Sequence, residues 1–250
     1  MTTPPAASAN TSSTARAPEP APTRTTVNAT LGLVAASYDN VLFSGHYQGL
    51  SIGGGVNRGR LGLTVAISEY KLTRNGLSTY GLGDVMMHLH AGLASGEQWS
   101  AGGMLMVSLP TGDADRGFGM GHVMFMPEAW ASWHRSRLSL DAAVGAGYAA
   151  GGAAAHAEHG GGGAWPLVDP MNALEATFDT KATVSLAKAL AVGVRLFGAV
   201  PIGDGSSRMV LAGRVLWTAE RVVTMLEIGG GLVGDPFELR GTLNAMIRVR

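Results

Sequence analysis

Apolar and polar positions alternate in steps of two along nearly the whole chain. One segment shows the pattern plainly: Val85, Met87, Leu89, Ala91 and Leu93 are apolar, interleaved with Asp84, Met86, His88, His90 and Gly92. A period of two means a strand with one face toward an apolar medium and one toward a polar medium. The pattern recurs about twelve times with no helical stretch between. It predicts strands at roughly 26–36, 45–56, 60–72, 80–94, 99–109, 121–134, 138–150, 172–186, 189–200, 207–219, 222–233 and 238–249.

The connections alternate in length. Tight turns are expected at Asn57-Arg58-Gly59, Ser95-Gly96-Glu97-Gln98, Arg135-Ser136-Arg137, Ala187-Lys188 and Glu220-Arg221, and longer loops at 37–44, 73–79, 110–120, 151–171, 201–206 and 234–237. Short turns on one rim and longer loops on the other are the asymmetry of outer-membrane barrels, the short side being periplasmic. The fold class is therefore all-β, a closed antiparallel transmembrane β-barrel of about twelve strands spanning 26–250. Residues 1–25 are rich in Pro, Ala, Thr and Ser and read as a disordered tail, unable to bury enough surface to offset ordering entropy.

Sorting strand residues by parity sharpens the picture. Charges fall on one parity: the acids Asp84, Glu128, Asp141, Glu175, Asp179, Glu227 and Glu238, and the bases Lys181, Arg195, Arg208, Arg214, Arg240 and Arg248. Aliphatic side chains occupy the other. A small soluble barrel would pack its interior with apolar side chains; here the charges belong inside and the aliphatics outside, so these residues are expected to line a polar lumen. Trp99, Trp133 and Trp217 share the outward parity beside short turns, where an aromatic girdle belongs at the membrane interface. Tyr148 and Phe237 are expected outward at the opposite rim.

Composition narrows the function classes. Mean hydropathy is +0.18, yet the longest apolar stretch, Leu186 to Ile202, is interrupted by Lys188 and Arg195, so no transmembrane helix is expected. Net charge is zero, which gives no reason to expect a nucleic-acid partner. Cysteine is absent, excluding disulfides and thiolate metal sites. The expected surroundings are outer-membrane lipid of a Gram-negative bacterium, although MTTPPAASANTSST lacks the basic start and apolar stretch of a signal peptide. A monomer suffices for such a barrel.

Candidate chemistry lies on three successive strands. Met86, His88 and His90, then Met104 and Met106, then His122, Met124 and Met126 all take the inward parity. Strands about 4.8 Å apart would merge them into one patch. Thioether with imidazole suits soft or borderline ions such as Cu(I), whereas methionine also fills irregular gaps. A second His-containing stretch, His156, Glu158 and His159 with Asp169 nearby, sits in the Gly-rich loop. No cofactor is expected. Catalysis is not expected either, because His88, His90 and His122 face inward with no outward Ser to form a lipase-type site.

The fourth strand opens YGLGDVMMHLHAGL and the fifth runs MLMVSLPTGDADRGFGMG. The GLGD opening, followed one hairpin later by a strand ending in SLPTGD, resembles the outer-membrane transporters of the "MetA-pathway of phenol degradation" family. The likeness covers Gly81 to Asp84 and Ser108 to Asp113 well and the rest as barrel texture. It implies a monomeric channel-like barrel for uptake of small, often aromatic, compounds. Three functions remain open on the sequence: a passive channel for small solutes, a metal-handling barrel using the Met/His patch, and a plugged structural barrel.

Overall fold

The structure, a computed structural model, describes residues 25–39, 44–151, 168 and 171–249. The tail expected at 1–25, apart from Thr25, and the His156, Glu158, His159 and Asp169 cluster lie outside the described residues.

Thirteen strands run in chain order: β1 (Thr25–Asp39), β2 (Ser44–Arg58), β3 (Leu61–Arg74), β4 (Leu77–Leu82), β5 (Val85–Ser95), β6 (Trp99–Leu109), β7 (Met124–Arg135), β8 (Leu138–Ala149), β9 (Leu174–Ser185), β10 (Leu190–Pro201), β11 (Arg208–Thr218), β12 (Val222–Val233) and β13 (Leu239–Arg248). Both β4 and β5 pair with β3, so they are two halves of one wall strand interrupted at Gly83-Asp84. Counting β4 and β5 as one, every sequential neighbour pairs antiparallel, and β1 pairs with β13, for example Leu33 opposite Leu243. The wall is thus a closed twelve-strand barrel with no free edge. Closure satisfies every ladder group within the wall, the condition for strands in hydrocarbon. The one helical element among the described residues is a 3-10 turn at Ala114–Arg116, and no described helix is long and apolar enough to cross a membrane.

The outer face is a belt of exposed aliphatics, among them Leu33, Ile52, Leu89, Val144, Val194 and Ile228, all more than 40% exposed. Between them, the inward positions are buried or half-buried on strand after strand, as in Met124, Met126 and Glu128 of β7. Trp99 and Trp217 are about half exposed at the short-turn rim, and Trp99 pairs directly with Trp133.

Several expectations are corrected. The long loop foreseen at 73–79 is a two-residue hairpin: β3 continues to Arg74, β4 starts at Leu77, and Asn75 and Gly76 take φ of 47° and 83°. Positive φ at both central residues is the primed hairpin turn that Asn-Gly favours. The strand expected over 80–94 is broken at Gly83-Asp84 because Thr111 intervenes: its hydroxyl donates to the Gly83 carbonyl at 3.2 Å and accepts the Val85 amide at 2.9 Å. The strand expected from 121 begins at Met124, leaving His122 just ahead of it. Phe237 is not on the outer belt: it is buried with Tyr38, Tyr47, Leu72, Phe118 and Val168 in an apolar cluster.

Candidate functional site: the lumen

The inner wall divides into three sectors. On β1–β3 the inward residues are small and neutral over most of the height, including Thr30, Gly32, Ser51, Gly53 and Ala66. At the long-loop end of this sector Tyr38, Tyr47 and Leu72 meet Phe118 and Phe237 in the apolar cluster. Tyr47 stands edge-on to Tyr70 at 5.8 Å and to Phe237 at 5.3 Å, and the Tyr38 hydroxyl donates to the Thr73 carbonyl. This side of the mouth is filled.

The filling depends on a loop drawn into the barrel. Residues 110–123 turn back inward and place Phe118 (1% exposed) against the wall. The glycines of the GLGD motif make the room. A Cβ at Gly81 would come within 2.5 Å of the Phe118 ring, and one at Gly83 within 2.6 Å of the Tyr70 ring. Asp84 then pins the loop: its carboxylate accepts the amides of Gly112 at 2.9 Å and Met120 at 3.0 Å and the Ser108 hydroxyl at 3.2 Å. Arg116 donates from Nε to the Thr79 hydroxyl at 3.0 Å and from Nη2 to the Tyr80 carbonyl at 2.6 Å. The Val168 amide ties the next loop to the Gly117 carbonyl at 3.0 Å.

A second acid anchors the opposite side. Glu175 is fully buried, accepting from the Asn172 amide at 3.0 Å and side chain at 2.8 Å and from Arg208 at 2.7 Å. Asn172 in turn donates to the Ser206 carbonyl at 3.2 Å, joining two long-loop ends. Asp84 and Glu175 were both expected as lumen-lining charges; both occupy inward positions, and each accepts at least one loop amide, from Gly112 and Met120 or from Asn172.

The second sector, β5–β7, carries the methionines. Register sets His88 beside Met106, and Met106 beside Met126, across three strands. Met124 and Met126 are buried, with Met86, Met106 and Met171 packed against them. His90 lies apart, opposite Met104, with its ring over Gly62, where a Cβ would meet it at 1.9 Å. His122 is buried ahead of β7. No three His, Cys, Asp or Glu side chains converge as a metal cage among the described residues.

The third sector, β8–β13, is a ladder of paired charges. Arg195 forks onto Asp179, Nε to Oδ1 at 2.9 Å and Nη2 to Oδ2 at 3.1 Å, while Nη1 reaches Glu227 at 2.9 Å. Lys181 meets Asp179 at 2.6 Å, and Arg214 approaches Glu227 at 3.9 Å. Asp141 accepts the Ser132 hydroxyl at 2.5 Å. Arg240 lies at the long-loop end with its guanidinium 5.9 Å from the Phe237 ring. Glu238 sits exposed just before β13, and Arg248 is exposed at the short-turn rim, so these two flank the bore at its ends.

Two cavities occupy the bore between sectors. The upper, about 250 Å³, is bounded by Met106, Met126 and Met171 on one side and by Arg195, Phe197 and Arg208 on the other. The lower, about 480 Å³, is bounded by Met104, Trp130, Asp141, Lys181 and Arg214. Glu128 and Asp179 border both. Both side chains therefore stand between the two chambers. The β8 inner face, Ala143, Gly145, Gly147 and Ala149, is small enough for neighbouring side chains to lean across it, and a Cβ at Gly145 would stand 2.6 Å from Glu128 Cγ. The significance of Glu128 was hidden in the sequence, where it looked like any other inward acid.

No protein-family model matches the sequence, and no curated protein does. Solved structures match in fold. The COG4313 outer-membrane channel from Pseudomonas putida F1 superposes with a TM-score of 0.65 at 11% identity, over 94% of this chain and 100% of that one. A KdgM porin superposes with a TM-score of 0.57 at 9% identity, over 89% of this chain and 99% of its own. A NanC porin gives 0.54 at 9% identity, over 90% and 99%. At such identities the likeness establishes the fold, the barrel architecture of outer-membrane channels and porins.

Proposed function

We propose that this chain is a passive channel for small solutes, seated as a single closed barrel in the outer membrane of a Gram-negative bacterium. The observation that carries this reading is the pair of lumen chambers that share Glu128 and Asp179 in their walls. Asp84 and Glu175 are spent on anchoring loops, but Asp141, Lys181 and Arg214 line the lower chamber, and a water-filled path needs such polar walls to compete with bulk hydration. The apolar cluster closes the β1–β3 side, so the path runs along β7–β13. The exposed aliphatic belt would contact lipid, with Trp99, Trp133 and Trp217 at its short-turn edge. Because the wall closes on itself, one chain is enough. Among the described residues Arg195, Arg208 and their carboxylate partners in the bore are spent on ion pairs and loop anchoring, and the role proposed is transport.

The resemblance carried by Gly81–Asp84 and Ser108–Asp113 supports aromatic compounds among the solutes. Phe197 and the methionine side of the upper chamber offer an apolar contact for such a ring, opposite the arginines.

The test is reconstitution of the full chain in planar bilayers and in proteoliposomes. Stepwise conductance and swelling with small solutes are expected, and exchange of Glu128 for Arg between the chambers should reduce both. An intact barrel that passes neither ions nor solutes would replace this reading with a plugged scaffold.

A further inference from the structure

The inner apolar contacts of this barrel are divided by residue type. The cluster on the β1–β3 side is built from Tyr, Leu, Phe, Val and Ala and contains no methionine. The cluster on β5–β7 is built from methionine and alanine alone. On the outer belt, Leu, Val and Ile dominate, and of the methionines on the described strands Met87 and Met209 take the outward parity. If methionine served only to fill gaps, Leu or Ile would do equally well at some of these inner positions. The segregation asks for a property that methionine has and leucine lacks, which is the thioether sulfur.

We propose that Met86, Met106, Met126 and Met171 form a thioether site for a soft monovalent cation of the Cu(I) type, entered from the lumen. Neutral sulfur donors favour soft ions of this class over Zn or Mg. The absence of any His/Asp/Glu cage among the described residues agrees with that preference. Access is built in: Met106, Met126 and Met171 border the upper chamber, while Met86 and Met171 border a smaller cavity of about 60 Å³ beneath the loop held by Asp84. The four side chains therefore lie between two spaces, with Met171 bordering both. Glu128 borders the same upper chamber and has no hydrogen-bond or ion-pair partner among the described residues, so its carboxyl oxygens are open toward a cation there. His88, beside Met106 in the register, is placed as a flanking imidazole. This site is independent of solute passage, and either can fail without the other.

The experiment uses the full chain, folded in detergent, with Ag(I) as a redox-inert probe and Cu(I) under a competing chelator. The native protein is expected to retain one ion per barrel, with sulfur ligation in X-ray absorption. Met86→Leu/Met106→Leu/Met126→Leu conserves volume and should weaken retention by at least about tenfold, in line with the loss expected when a metal site is disturbed. Met171→Leu alone, outside the strands, should weaken it measurably in a barrel of unchanged heat-modifiability. The outward control Met87→Leu/Met209→Leu should bind as the native chain does. No stoichiometric ion on the native protein, ligation by oxygen and nitrogen only, or equal retention by the Met171 variant would overturn the proposal. Conductance measured on the same preparations keeps this outcome separate from that of the channel.

Discussion

Asp84 Oδ1 accepts the backbone amide of Gly112 at 2.9 Å, across 28 residues of sequence. The contact joins the GLGD opening of one strand to the PTGD turn at the end of the next. Its companion Oδ2 takes the Met120 amide at 3.0 Å, so one carboxylate holds both ends of the inward loop. The break between β4 and β5 lies at the same point, where the Thr111 hydroxyl takes the Val85 amide and donates to the Gly83 carbonyl. Two short motifs separated by a full hairpin thus act as one latch.

Replacing Asp84 with Ala should release that latch without dissolving the barrel. Hydrogen bonds to charged groups contribute about 1.5–3 kcal/mol each, and two loop amides would lose their acceptor. Faster amide exchange at Gly112 and Met120, with new protease cuts within 110–123, is the expected result. Single-channel current should rise and become noisier as Phe118 leaves the mouth. Unaltered exchange and current would mean the loop is held elsewhere.

Gly81 should tolerate no side chain while Phe118 is present. A Cβ there would lie 2.5 Å from the ring, so Gly81→Val must expel Phe118 or distort β4. Overpacking of this kind costs roughly 1–3 kcal/mol. The double variant Gly81→Val/Phe118→Ala should recover much of the loss, as coupled contact pairs do in mutant cycles. Strictly additive unfolding midpoints would show that the two positions do not meet.

These two elements also show what the sequence discloses. Period-two parity was enough to place the wall strands, because a closed barrel leaves each residue only an inside or an outside. Trp99, Glu227 and Arg195 could be assigned a face from neighbours one position away. Phe237 could not, because it belongs to a loop, where parity has no meaning and tertiary packing decides. The Asn75-Gly76 turn was legible in principle: the dipeptide is the strongest short hairpin signal, but the polar residues around it resemble a longer loop. The latch at Asp84 was half legible. Both motifs stood out, yet their meeting depends on how residues 110–123 turn back inside, which no local pattern specifies. The place of Glu128 between the chambers was invisible, since it arises from the small inner face of β8, two strands of geometry rather than a residue type.

Arg195 should govern ion preference in the bore. It offsets Asp179 and Glu227 at once, with contacts of 2.9 Å to each. Arg195→Gln removes one positive charge and leaves Asp179, which borders the upper chamber, and Glu227 behind it without that partner. Reversal potentials under a salt gradient should shift toward cations, the shift shrinking at high salt as the charges are screened. A variant with unchanged reversal potential would place the permeation path away from this ladder.

Glu175 makes the sharpest case for a charge kept for structure. It is fully buried, holds Arg208 at 2.7 Å, and receives both the amide and the side chain of Asn172. Glu175→Ala would strand the Arg208 guanidinium beside the chamber and free the loop end at Asn172. Breaking a buried pair from one side costs about 3–5 kcal/mol, whereas replacing both partners with apolar residues of similar volume is often near neutral. Arg208 is about a fifth exposed to the lumen, which moderates the loss. The order expected in urea unfolding is therefore native, then the paired variant Glu175→Leu/Arg208→Met slightly below it, then Glu175→Ala lowest. The paired variant should still show a loosened Asn172 by amide exchange, because leucine accepts nothing from that amide. Stability and loop order would then separate: the ion pair answers for the first, and the carboxylate's grip on Asn172 for the second. Equal stability of Glu175→Ala and the native chain would mean that lumen water already compensates both groups.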